Sequence, residues 1–170
     1  MTPTTPILHI AMIEPDIAPN VGTIARLCAA TGVRLHLIGK LGFRLNDHAL
    51  RRAGLDYWQH VDLHQHPTWE QFTQAYPHVR CYALSSKATT LYTSIHFAPG
   101  DCLVLGSETQ GLPESLLSGN RKLPGCTIPM PTKKVRCLNV ALAAGIVTYE
   151  ALRQIRITEQ SVLVVTASTL

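Results

Sequence analysis

The feature that most limits how this chain can fold is a set of short, uninterrupted apolar runs separated by segments of helical pattern. ILHIAMI (7–13), RLHLIG (34–39), RCYALS (80–85), DCLVLG (101–106) and CTIPM (126–130) are apolar on both faces rather than alternating. Strands of that kind are buried on both sides, which predicts a mostly parallel sheet covered by helices on each face. The intervening helical stretches are NVGTIARLCAAT (20–31), closed by Gly32, a segment starting at Thr68 with Trp69, Phe72 and Tyr76, and a long final helix over 138–156. A short basic helix capped by Asn46 or Asp47 would carry Arg51 and Arg52. The Val-rich tail SVLVVTAST (161–169) reads as an edge strand, an interface segment or a loose end.

The chain has 170 residues, enough for a single domain with a real core, here placed over about 7–156 with a tail over 157–170. No stretch reaches the roughly 20 apolar residues of a membrane span, and the amino-terminal MTPTTPILHI lacks the pattern of a signal peptide. Both point to a cytoplasmic protein with no membrane partner. The five cysteines are widely spaced and form no CxxC pair, which favours free thiols. A formal charge of +4 permits an anionic partner such as RNA without requiring one. His60, His64 and His66 form H-x3-H-x-H, but no acid or cysteine at helpful spacing completes a metal set. They are read as solvent-exposed, with no metal.

Ligands of parallel sheets sit beyond the carboxyl ends of the strands. Three loops qualify, those after Leu84, Leu105 and Met130. The middle one, GSETQGLP (106–113), is no Walker loop, because Gly111 is followed by Leu112 and Pro113. It also has one glycine too few for a dinucleotide fingerprint, and Glu108 would repel phosphate. No GxGxG block follows the first strand and no GxSxG elbow occurs anywhere, so neither a Rossmann-type methyltransferase nor a hydrolase is favoured.

Three segments, PNVGTIARLCAATG (19–32), LVLGSETQGLP (103–113) and IPMPTKKVRCLNVALAAGIVTYEALRQ (128–154), together resemble the signature blocks of the SPOUT class of RNA 2'-O-methyltransferases, in its SpoU/TrmH branch. The stretch LHLIGKLGFRLNDHALRRAGLDYW (35–58) is similar to members acting on the cytidine or uridine at the wobble position of tRNA. The resemblance implies an α/β fold whose carboxyl-terminal part is tied in a deep trefoil knot, an exception to the rule that folds are unknotted. It implies S-adenosylmethionine as methyl donor, bound by the three loops, no metal, tRNA (leucine tRNAs) as substrate, and a homodimer.

Residue by residue, the resemblance makes Arg26 the catalytic residue. Its role is either to stabilise the developing alkoxide or to act as base. A guanidinium keeps its charge in proteins, so the electrostatic role is favoured. Asn20 either caps its helix or reaches the substrate. Leu84, Gly106, Glu108, Gly111, Ile128, Cys137 and Leu138 fall on the donor-binding positions. Glu108 would bond ribose hydroxyls or hold its loop, the second being preferred, and the glycines would let main chain approach a purine.

Arg51, Arg52 and Arg136 would contact RNA phosphates, with Lys133 and Lys134 as further candidates. Arg44 is read as a solvated side chain. The chain departs from the family's pattern at Cys137, where serine is usual, and at Val140–Leu142. Small residues at Ala141, Ala143, Ala144 and Gly145 would let the final helix pack closely. The rival readings are a SpoU-type enzyme acting on another tRNA position or on ribosomal RNA, and a catalytically silent knotted RNA-binding protein.

Overall fold

The computed structural model describes residues 6–44, 55–118, 122–132 and 134–155. The helix expected around Arg51 and Arg52, Lys133 and the Val-rich tail lie outside them. Strand β1 (His9–Ile13) leads into helix α1 (Ala18–Thr31) and strand β2 (Arg34–Ile38). A 3-10 turn (Leu55–His60), β3 (Leu63–His66), α2 (Trp69–Ala75) and β4 (Cys81–Leu84) follow. A second 3-10 turn (Tyr92–Ser94), β5 (Cys102–Leu105), the single turn α3 (Glu114–Leu117), β6 (Gly125–Cys126) and α4 (Val140–Ile155) complete the order.

All pairings among these strands are parallel, in the order β3-β2-β1-β5-β4-β6. Every residue of β1 and of β5 is buried. Successive side chains point to opposite faces, and the two faces meet different helices. Ile10, Met12, Leu35, Leu37, Leu103 and Leu105 pack under α1 and α4. Ala11, Ile13, Ile38, Cys102 and Val104 pack with Phe72 of α2 and Leu116 of α3. This is the doubly covered sheet that the apolar runs predict.

The helix ends also follow local chemistry. Gly32 takes the left-handed conformation (φ 70°) and donates to the Cys28 carbonyl, ending α1. The Thr68 hydroxyl accepts from the Gln71 amide and starts α2. In α4, Ala141, Ala144, Val147 and Ala151 are buried and the helix rests on α1, as its small residues suggest, while Ala143 and Gly145 are half-buried. The strand read over 126–130 is shorter than expected. It stops at Cys126, with an isolated bridge at Thr127, because Pro129 and Pro131 carry no amide for a ladder.

The histidines depart most from expectation. LHQH (63–66) forms β3, paired with β2 through Leu35–Leu63 to Ile38–His66. His64 and His66 are therefore half-buried, not solvent-exposed, and only His60 of the three is exposed. On the same face, buried His9 and His36 share a hydrogen bond (Nδ1 to Nε2, 2.8 Å), and His36 Nδ1 lies 3.0 Å from His66 Nε2. The rings stand against Phe72 and Tyr76. His64 bonds Asp62, which also accepts from Arg34. Histidines two apart on one strand share a face, and the strands beside them supply the rest.

Candidate active site

The sheet is parallel and β5, β4 and β6 are neighbours, so the loops leaving Leu105, Leu84 and Cys126 emerge side by side at one edge. This is where ligands of parallel sheets bind. A groove of about 610 Å³, lined by Trp69, Val79, Arg80, Tyr82, Leu123 and Pro124 among others, lies at the opposite, amino-terminal end of β4 and β6. It is separate from the three loops.

The loop after β5 folds back on itself. Ser107 and Gly111 exchange both main-chain hydrogen bonds, at 3.2 and 2.9 Å. Gly111 sits at φ +75°, which favours glycine. Gly106 is glycine for a different reason: a Cβ there would lie 2.0 Å from the Gly111 carbonyl carbon and 2.2 Å from the Leu112 nitrogen. The space that a side chain would need is taken by the loop's own returning backbone.

Glu108 holds this loop to the start of α1. One carboxylate oxygen accepts from the Asp16 amide at 2.8 Å and the other from the Asn20 side-chain amide at 2.9 Å. The approach to α1's amino end also suits a negative charge. Asn20 does not cap its helix, as its type and place suggest. The cap position is Ile17, and Asn20 lies in the first turn, buried, with its amide turned to Glu108.

Asn20 Oδ1 in turn accepts from Asn139 Nδ2 at 2.9 Å. Asn139 Oδ1 accepts from the Ala141 and Leu142 amides and so caps α4. A relay Asp16–Glu108–Asn20–Asn139 thus ties together three segments far apart in the chain. Thr109 adds a bond from its hydroxyl to the Asp16 carboxylate. Asp16 lies outside the three segments of the resemblance, whereas Asn139 stands within the third, where its presence favours an active enzyme over a silent RNA-binding protein. An asparagine directly before a long helix was the available signal for its capping role.

Glu108→Gln replaces one acceptor oxygen by a donor facing the Asp16 N–H or the Asn20 amide. It is expected to lower the unfolding free energy by about 1.5–3 kcal/mol, the usual range for a hydrogen bond to a charged group. Urea denaturation measures this, and a loss below about 0.5 kcal/mol would contradict the relay.

Arg26 lies on α1, six residues beyond Asn20 or ~9 Å along the helix axis, and is exposed. Its guanidinium stacks over the Tyr57 ring, with Cζ 4.6 Å from the centroid. Leu84 at the end of β4, and Ile128 and Leu138 in the segment between β6 and α4, are half-buried apolar side chains, and Gly111 of the loop after β5 is exposed. This donor set suits a ligand with a flat heterocycle and main-chain hydrogen-bonding needs, as the adenosyl group of S-adenosylmethionine has. Cys137, Arg136, Lys134 and Arg44 are exposed, and Arg51 and Arg52 fall outside the described residues. Among the described residues, no group of three His, Cys, Asp or Glu could hold a metal ion, and no helix is long and apolar enough to cross a membrane.

Comparison with known proteins agrees with this geometry. A family model described as the SpoU rRNA Methylase family matches residues 7–149. The tRNA (cytidine(34)-2'-O)-methyltransferase of Escherichia coli strain K12 is 41% identical over 148 residues, covering 87% of this chain and 94% of that protein. A solved structure concerned with the 2-OH methylation of C/U34 on tRNA is 44% identical, with a TM-score of 0.82 over 87% of this chain and 95% of the other. The SpoU methyltransferase AviRb from Streptomyces viridochromogenes, solved with its cofactor AdoMet, shares the fold with a TM-score of 0.79 at 21% identity, covering 90% of this chain and 62% of that one. The matched span contains the entire Asp16–Glu108–Asn20–Asn139 relay, and the chain belongs to the SpoU methylase family.

Proposed function

We propose that this chain transfers the methyl group of S-adenosylmethionine to the ribose 2'-hydroxyl of the wobble nucleotide, cytidine or uridine 34, in leucine tRNA. The observation that carries the reading is the relay. Asn20, Glu108 and Asn139 come from the three segments that make the family resemblance, and they bond one another. The target is supported by relatives above 40% identity that cover nearly their whole length and are named for cytidine 34.

Bound S-adenosylmethionine would supply a methyl group already activated by its sulfonium charge, so the remaining difficulty is the acceptor. A ribose hydroxyl is a weak acid, and charge develops on its oxygen as it attacks. Arg26 provides a fixed positive charge for that oxygen and for the neighbouring phosphate. Leu84, Ile128 and Leu138 give apolar walls for the adenine, and the backbone of 106–111 supplies its hydrogen bonds. Glu108 and Asn20 act by holding that loop against α1. Cys137, two residues before Asn139, adds a main-chain contact to the donor, and Arg136 with Arg51 and Arg52 meets RNA phosphates.

The working unit is a homodimer of cytoplasmic, single-domain chains, each knotted as in the family. Leu142 and Tyr149, seven residues apart on one face of α4, are 55% and 59% exposed, an apolar surface that a second copy would cover.

The test is transfer of tritiated methyl to tRNA lacking wobble 2'-O-methyl groups. Label at position 34 of leucine tRNAs is expected, with kcat/KM roughly 10²–10³-fold lower for Arg26→Ala and S-adenosylmethionine binding retained. Label at another nucleotide would remove the proposed target. Binding without transfer to any RNA would overturn the enzyme reading.

A further inference from the structure

Resting on the reading of Arg26 above, we infer that Tyr57 is the positioning residue for that arginine: its ring holds the guanidinium, and its hydroxyl fixes the ring to the helix turn that carries Arg26.

Two contacts place Tyr57. The Arg26 guanidinium carbon lies 4.6 Å above the ring centroid, well within the range of a cation–π contact. The Tyr57 hydroxyl donates to the Gly22 carbonyl at 2.9 Å. Gly22 and Arg26 are four residues apart on α1, so in a regular helix the same carbonyl accepts from the Arg26 amide. One side chain therefore grips Arg26 at both ends, through its backbone turn and through its charge. Tyr57 is half-buried on the 3-10 turn before β3, and neighbouring Trp58 packs against the core under α1. The ring is packed against the core where the arginine is exposed.

An exposed arginine without such a support samples many rotamers, and each loses entropy when it must meet a substrate. A ring face under the guanidinium restricts the head group to fewer orientations and so lowers that cost. Tyr57 acts through Arg26 and is assigned no contact with the reacting atoms.

The experiment compares wild type, Arg26→Ala, Tyr57→Phe and Tyr57→Leu for kcat, KM for tRNA, S-adenosylmethionine affinity and the ¹H–¹⁵N signal of the Arg26 Nε–H. Its assignment comes from its disappearance in Arg26→Ala. In wild type that signal is expected to be shifted upfield by the ring. Tyr57→Leu should return it to the exposed-arginine position and lower kcat about tenfold, with KM and donor affinity within about twofold. Tyr57→Phe keeps the ring and should stay within about threefold of wild type with the shifted signal retained. It also serves as the folded control should Tyr57→Leu be unstable.

An unshifted wild-type signal, or full activity in Tyr57→Leu while Arg26→Ala is inactive, would overturn this role and leave the proposed function standing. A fully active Arg26→Ala would instead overturn the reading on which the inference rests.

Discussion

Gly106→Ala is expected to abolish binding of S-adenosylmethionine and methyl transfer, and to lower the unfolding free energy by about 3–5 kcal/mol. The added methyl would meet main-chain atoms of Gly111 and Leu112 at 2.0–2.3 Å, distances that no rotamer change relieves. The loop must open, which breaks the paired Ser107–Gly111 hydrogen bonds. Overpacking strain of about 1–3 kcal/mol and about 1 kcal/mol for each lost bond give the stated range. Opening also withdraws Glu108 from Asp16 and Asn20, so the site is lost together with the loop. Gly111→Ala makes a sharp control. It has open space for a Cβ but a φ of +75°, so its expected cost is only about 1–2 kcal/mol. Urea denaturation and calorimetric titration of the donor check both. Wild-type donor affinity in Gly106→Ala would contradict the loop geometry.

Acidification from pH 7 to pH 5 is expected to remove about 4 kcal/mol of stability, through His9 and His36. Burial lowers the His9 pKa from 6.5 to about 4, helped by the Arg34 charge and opposed by Asp62. Burial, followed by repulsion from His9, His66 and His64, lowers His36 to about 2. His66 is lowered as well, by burial and by His64, though it is half-exposed. Tyr76 and Phe72 of α2 close the cluster with their rings.

Because these folded-state values lie below the unfolded one, the unfolded chain binds more protons below pH 6.5. Stability is complete above about pH 7 and declines as the pH falls. The slope is about 1.4 kcal/mol per pH unit for each of His9 and His36. His9 stops adding to the loss below about pH 4, while His36 continues towards pH 2. Against a typical total of roughly 5–15 kcal/mol, that is a large share. Urea midpoints at pH 7.5, 6 and 5 measure it. His36→Leu should roughly halve the slope, and a flat profile for wild type would show that the two rings carry no such penalty.

Where the physics is local, the chain could be read directly. Gly32 ends α1 and Thr68 starts α2 because a left-handed turn and a hydroxyl acceptor are properties of single residues. The apolar runs predict a covered parallel sheet because period and burial are linked along one strand. The strand LHQH was missed because nothing in four residues, two of them histidine, announces burial. Only its pairing with β2 supplies that. Asn20 looks like a helix cap by type, yet Ile17 holds that position and Glu108, 88 residues away, claims its amide.

By itself, then, the sequence determined most of the alternation of strands and helices, the carboxyl end of α1, the start of α2, and the three segments whose joint order carries the family. The tertiary structure alone decided the strand order β3-β2-β1-β5-β4-β6, which brings those segments to one edge. It decided that Gly106 is required by its own loop, that Glu108 bonds Asp16 and Asn20, and that Tyr57 lies under Arg26. The reason is physical: propensity and periodicity act between near neighbours in the chain. Hydrogen bonds and steric exclusion act wherever the fold brings two groups within about 3 Å, at any separation in sequence.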